Sequence, residues 1–142
     1  MKKIYFSPLI PLFLIIFTAS SFGQANNDVK STIGTIIEMS KAKNYEAAAK
    51  FVAFRPDDKK MEYKAPQLSS REQMNYIKRL LKRIGALADV SSSFKIGEVS
   101  TREISGVKFE KIPVDFLSGS QKLNASFLFI NIQGSYLLAE IE

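Results

Sequence analysis

Cysteine, histidine and tryptophan are all missing from the 142-residue chain. Without cysteine or histidine there is no thiolate nucleophile, no Ser-His relay, no disulfide and no imidazole- or thiolate-ligated zinc site of the usual kind. Proline and glycine are sparse, with 5 and 7 residues. No internal repeat or low-complexity segment is visible, and the length fits one domain. What remains implies no metal and no cofactor, and it spells out no reaction.

What is present begins with a leader. Met1-Lys2-Lys3 supplies a positive start, Ile4 to Phe17 carries no charge, and small residues follow at Ala19, Ser20, Ser21 and Gly23. A basic start, a short apolar run and small residues at the −3 and −1 positions make a secretory signal peptide. Cleavage fits best after Ser21-Phe22-Gly23, ahead of Gln24, and second best after Gly23-Gln24-Ala25, ahead of Asn26. The apolar run, interrupted by Pro8 and Pro11, is shorter than the roughly 20 residues that span a bilayer. The chain thus divides into a leader, residues 1–23, and one exported domain, residues 24–142, periplasmic or secreted and not membrane-spanning after cleavage. No cysteine follows the apolar run, which excludes a lipoprotein anchor. Losing Lys2 and Lys3 lowers the formal charge from +6 to +4. An exported domain without disulfides depends on its apolar core, and chains near this length bury roughly 65 % of their unfolded surface. The lack of cysteine points to a bacterial envelope or secreted setting more than to a disulfide-rich scaffold.

Along the mature chain the hydrophobic period changes once. Asn26, Asn27 and Asp28 offer caps to a helix from about Asp28 to Lys41, with Val29, Ile33, Ile36 and Ile37 at helical spacing. Asn44 can cap a second helix carrying Tyr45, Ala48, Phe51, Val52 and Phe54, ended by Pro56. Arg55 to Leu68 reads as loop, with Met61 and Tyr63 as a short edge strand. Ser69-Ser70-Arg71-Glu72 forms a capping box for a third helix. Its stripe of Met74, Ile77, Leu80, Leu81, Ile84, Leu87 and Ala88 makes it amphipathic.

From Phe94 the period is two. Phe94, Ile96 and Val99 predict a first strand, and Ser105-Gly106, Ser118-Gly119-Ser120 and Gln133-Gly134 predict turns. Val107 and Phe109 share one face, and Ile112, Val114 and Phe116 share the other. The slip near Lys111-Ile112-Pro113 predicts a β-bulge there. Leu123, Ala125, Phe127 and Phe129 line one face of the next strand, and Tyr136 to Ile141 forms the last. Helices first and an antiparallel four-stranded meander second give an α+β fold.

Two stretches carry a family resemblance. Ala42-Lys43-Asn44-Tyr45-Glu46-Ala47-Ala48-Ala49-Lys50-Phe51 resembles the opening helix pair of the nuclear transport factor 2-like, or cystatin-like, superfamily. Phe127-Leu128-Phe129-Ile130-Asn131-Ile132-Gln133-Gly134-Ser135-Tyr136-Leu137-Leu138 is similar to its closing hairpin. With the elements between, the likeness covers about residues 28–142, and small exported members of unknown function are the nearest match. The resemblance implies N-terminal helices packed on a curved four-stranded sheet, a cone enclosing a ligand cavity or presenting a sheet-face partner surface.

The candidate pocket residues are Tyr63, Arg102, Asp115, Asn131 and Tyr136. Pockets are mostly apolar with a few placed polar groups, although polar strand residues also occupy the solvated face of an antiparallel sheet. Asn131 stands out because it continues the Leu123–Phe129 face and breaks its apolar character. The third helix carries a basic face of Arg71, Lys78, Arg79, Lys82 and Arg83, suited to an anionic partner or simply to water. No aromatic residues interleave with these charges as stacking on single strands requires, and nucleic acid is not an expected partner of an exported domain. Asp57-Asp58 reads as a solvated turn. Ser92-x-x-Lys95 matches a Ser-Lys spacing without its companion motifs. The leading expectation is a non-enzymatic domain binding a small molecule or envelope protein through a sheet-lined concavity. Two alternatives are a small isomerase or hydratase with Asp115 buried beside Tyr136 or Tyr63, and a sheet-face homodimer.

Overall fold

A computed structural model describes residues 21–142, with side chains from Asp28 onward. The expected leader lies outside the described residues except for its last three positions. Three helices come first: α1 (Ser21–Lys41), α2 (Tyr45–Ala49) and α3 (Arg71–Asp89). Five strands follow: β1 (Ser93–Ile96), β2 (Ser100–Ile104), β3 (Val107–Ser118), β4 (Gln121–Ile132) and β5 (Ser135–Ile141). The α+β cone expected from the sequence is the observed architecture, with helices packed into a curled antiparallel sheet.

α1 ends at Lys41 and α2 follows the Asn44 cap as expected, while the other boundaries that differ from the sequence reading do so for local reasons. α1 is already helical at Ser21, the first described residue, so Asn26, Asn27 and Asp28 lie inside it and not at its cap. No proline interrupts this upstream stretch, and Gln24 and Ala25 favour helix. α1 ends in a Schellman motif: Asn44 N–H donates to Met39 O at 2.9 Å, Lys43 N–H donates to Ser40 O at 3.1 Å, and Lys43 sits at φ 58°. α2 stops at Ala49, well before Pro56, because the chain leaves the helix to pair with β5. Ala53 N–H donates to Leu138 O and Leu138 N–H to Phe51 O, both at 2.8 Å. α3 is capped one residue later than the expected box. Ser70 Oγ accepts from Gln73 N–H, and Gln73 Oε1 accepts from Gln67 N–H at 2.7 Å.

The sheet runs β1-β3-β4-β5, with β2 beside β1 on the same edge of β3. The expected first strand is thus two segments of one broken edge. Ile96 pairs with Val114 and Ser100 with Lys111, so three edge residues face two of β3. The bulge expected in β3 lies across from it, at Gly97–Val99. Pro113 supplies the reason: it has no N–H to offer the edge strand, so regular pairing breaks opposite it. The apolar slip from Phe109 to Ile112 has another cause. The two ends of β3 are covered on opposite faces, Phe109 outside by Met61 and Tyr63, and Ile112, Val114 and Phe116 inside by the helices. A second irregularity, unforeseen, lies in β5, where Leu128 pairs with Glu140 and Phe129 with Leu138, leaving Ala139 as the extra residue. Two-residue turns at Ser105-Gly106 and Gln133-Gly134 have positive φ at both positions, the geometry that suits right-twisted hairpins.

The centre of the cone is packed. Ile33, Ile36 and Ile37 of α1 and Ile77, Leu81 and Ile84 of α3 meet Ile112, Val114, Phe127 and Phe129, all essentially inaccessible to water. Met61 and Tyr63 form no strand. The loop is tied by a single bridge from Phe54 to Lys64 and wraps round the β5 edge onto the outer face.

Candidate functional site

The concavity remains open at one end, where the sheet forks. β3 and β4 pair from Ser118↔Gln121 to Glu110↔Phe129, and there the ladder stops although the strands continue to Val107 and Ile132. Beyond that rung β3 stays with β2, while β4 stays with β5. Strand alternation aims the Lys108 and Asn131 backbone groups into the gap as the rung that is not made. A hollow of about 520 Å³ opens in the fork, lined by Lys108, Glu110, Phe129, Asn131 and Tyr136 among others.

Two of the five candidate pocket residues meet here. Asn131 and Tyr136 are cross-strand partners. Asn131 Oδ1 accepts from Gly134 N–H at 2.9 Å, which caps the β4–β5 turn and fixes the amide with its NH₂ as donor. Tyr136 rests half-buried against the core. Lys108 and Glu110, which sequence reasoning passed over, supply one charge of each sign. Their signal was position, since they continue the inward face of β3 past the last buried residue.

The other three candidates lie elsewhere. Arg102 is ion-paired to Glu142 on the outer face, where Lys111 also approaches Glu142 at 3.9 Å. Asp115 accepts from Asn124 Nδ2 at 2.7 Å and has Lys122 Nζ at 3.8 Å. Asp115 pairs with Asn124 and Tyr136 with Asn131, which sets them roughly 23 Å apart along β4 at about 3.3 Å per residue. Tyr63 packs edge-on against Phe109, six residues before Asp115 and so roughly 20 Å away on the same rise. The acid-base pairing of Asp115 with either tyrosine is therefore not formed.

Tyr63 belongs to a second opening, between the outer face of α3 and the Phe54–Tyr63 loop. A groove of about 580 Å³ runs beside Asp57, Asp58, Glu72, Tyr76 and Arg79. It shares Arg55, Asp58, Tyr76 and Arg79 with a pocket of about 350 Å³ that reaches Tyr63, Leu80, Arg83, Ala139 and Glu140. Arg55 holds the loop in shape: its Nε donates to Lys60 O at 2.8 Å, and its Nη2 donates to Asp58 O. Its guanidinium also lies 6.0 Å from the Tyr63 ring centroid. Tyr76 packs edge-on against Phe54, with centroids 5.3 Å apart. Burial, followed by the Glu140 charge, pushes the Tyr63 phenol up, and burial with the neighbouring Tyr63 does the same to Tyr76.

This opening divides the expected basic face. Arg79 and Arg83 line the pocket, whereas Arg71, Lys78 and Lys82 lie outside it. Tyr76 also stands among these charges, contrary to the expectation that no aromatic does. An aromatic off the apolar stripe of an amphipathic helix was the available sign.

No known family model matches the chain, and no curated protein matches it. Among solved structures it is similar to one named Rd1NTF2_05 bearing five substitutions, at 10 % identity and a TM-score of 0.45. That likeness covers 83 % of this chain and 97 % of the other. Among the described residues, no helix is long and apolar enough to cross a membrane.

Proposed function

We propose that this is an exported, non-catalytic binding domain of nuclear transport factor 2-like type, which takes a small ligand or an envelope protein segment at the open end of its sheet-lined concavity. The observation that carries the reading is the fork between β3 and β4. Backbone donors and acceptors that a complete sheet would consume are aimed into a hollow beside Lys108, Glu110, Asn131 and Tyr136. The volume falls within the roughly 300–1,000 Å³ of small-molecule sites, and a main-chain segment entering the gap would complete the missing rung.

Amide-resolved NMR against a fragment library tests this reading. Hits should move the Lys108, Asn131 and Tyr136 amides together, and Tyr136→Ala should weaken them by about tenfold, the equivalent of about 1.4 kcal/mol. Hits that spare these amides, or that survive Tyr136→Ala undiminished, would remove the fork as the site.

The isomerase reading loses its geometry, because Asp115 is held by Asn124 and Lys122 far from both tyrosines.

A further inference from the structure

The pocket between α3 and the β5 edge carries a separate inference, independent of the fork. Its walls hold charges of both signs that do not neutralise one another. Arg83 Nη2 lies 3.5 Å from Ile141 O, beside Glu140 in the chain. Yet among the described residues no ion pair within 4.0 Å joins Arg79, Arg83, Asp58 or Glu140 to any partner, while the outer-face charges Arg102, Lys111 and Glu142 are paired. Guanidinium and carboxylate groups that form no ion pair, Arg83 donating only to the Ile141 carbonyl, thus flank a pocket of about 350 Å³. A bare anion would meet Glu140 and Asp58, and a bare cation would meet Arg79 and Arg83. A ligand with an anion and a cation on neighbouring atoms satisfies both walls.

We propose that this pocket binds a free α-amino acid by its zwitterionic head group, with the carboxylate on Arg83 and Arg79, the ammonium on Glu140, and the side chain against Tyr76 and Leu80. Guanidinium matches a carboxylate in a bidentate manner, and charge-assisted hydrogen bonds are the strong ones. The frame is set before a ligand arrives. Tyr63 and Tyr76 are braced edge-on by Phe109 and Phe54, and Arg55 is spent on loop carbonyls. Both phenols stay protonated at neutral pH, so each can donate to a ligand carboxylate. Apolar surface comes from Leu80 and Ala139, which favours amino acids with an uncharged side chain.

Calorimetry and amide-resolved NMR on the leaderless chain, with L-leucine and L-phenylalanine as probes, test the proposal. Each amino acid is compared with its N-acetyl form, which lacks the cation, and its amide, which lacks the anion. The free amino acid should bind one-to-one and shift Tyr76, Ala139 and Glu140. Each capped form should bind about tenfold or more weakly, the worth of one hydrogen bond to a charged group. Arg83→Gln should reduce the amino acid to the level of its amide, and Glu140→Gln to the level of its N-acetyl form, each in a variant whose spectrum otherwise overlays. The proposal is overturned if neither amino acid binds at millimolar concentration or if a capped form binds equally well. Shifts centred on Lys108 and Asn131 would also overturn it, by assigning the amino acid to the fork.

Discussion

Gly97 and Pro113 approach one another more closely than any other residue at position 97 allows. Gly97 N–H donates to Pro113 O at 2.8 Å, and a Cβ on Gly97 would lie 2.7 Å from Pro113 Cγ and 3.1 Å from Pro113 O. The broken edge of the sheet is built on this contact. Gly97→Ala should destabilise the domain by about 1–3 kcal/mol, the usual cost of overpacking. Urea unfolding measures it, and the loss should shrink when Pro113 is also alanine. An equal loss in both backgrounds would show that the ring is not the obstacle.

Ser40 is 1 % exposed, and among the described residues its Oγ has no hydrogen-bond partner. It sits where α1 crosses α3, with Ser40 O only 2.8 Å from the place a Cβ on Gly85 would take. Ser40→Ala should therefore stabilise the domain by about 1 kcal/mol, since it removes an unsatisfied buried hydroxyl and leaves the small volume intact. Gly85→Ala should do the reverse by forcing the helices apart. Thermal unfolding of the two variants should move the midpoint in opposite directions.

Tyr63 and Tyr76 both hold their protons more tightly in the folded chain than the ordinary value near 10. The folded state then binds more protons than the unfolded state above that value, so stability falls as pH rises from about 10 through the folded values. Below pH 10 these two groups contribute no pH dependence. Ultraviolet titration should show late-ionising phenols that become normal on unfolding. Replacing both with Phe should flatten the alkaline decline, and an unchanged decline would assign it to other groups.

Export is tested by the mature N-terminus. The full chain expressed in a bacterial host should appear outside the cytoplasm, beginning at Gln24 or Asn26. Intact mass spectrometry distinguishes the two, and a cytoplasmic protein retaining Met1-Lys2-Lys3 would end the leader reading.

Elements whose cause is local were legible in the sequence. The α3 stripe from Ile77 to Ala88 is internal to one helix, and the turns at Ser105-Gly106 and Gln133-Gly134 follow from two residues each. Features set by a distant partner were not legible. Nothing near Ala49 announces that α2 must stop to let Phe51 and Ala53 bond Leu138. Pro113 was correctly read as a point of disruption, but the disruption moved to the strand that needed its missing N–H. The fork could be read only by halves. Asn131 and Tyr136 were singled out, while Lys108 and Glu110 come from a strand whose divergence no single segment encodes. Tyr63 was placed in a pocket, but the wrong one, because the path of its loop round the β5 edge depends on Arg55 gathering the carbonyls of three later residues.

The extra residue in β5 has a consequence for how this chain can change. With Ala139 inserted, Glu140 pairs with Leu128 of the outer face and Ile141 with Phe127 of the core. Regular pairing after Leu138 would exchange them, turning the carboxylate inward and the isoleucine out to water. One small side chain therefore ties the pocket's negative charge to the last buried position of the fold. A lineage of such sequences can vary Arg79 or Arg83 one at a time, and even lose Ala139 without moving Glu140 from Leu128 or Ile141 from Phe127, but a slip that pairs Ala139 with Leu128 loses recognition and folding together.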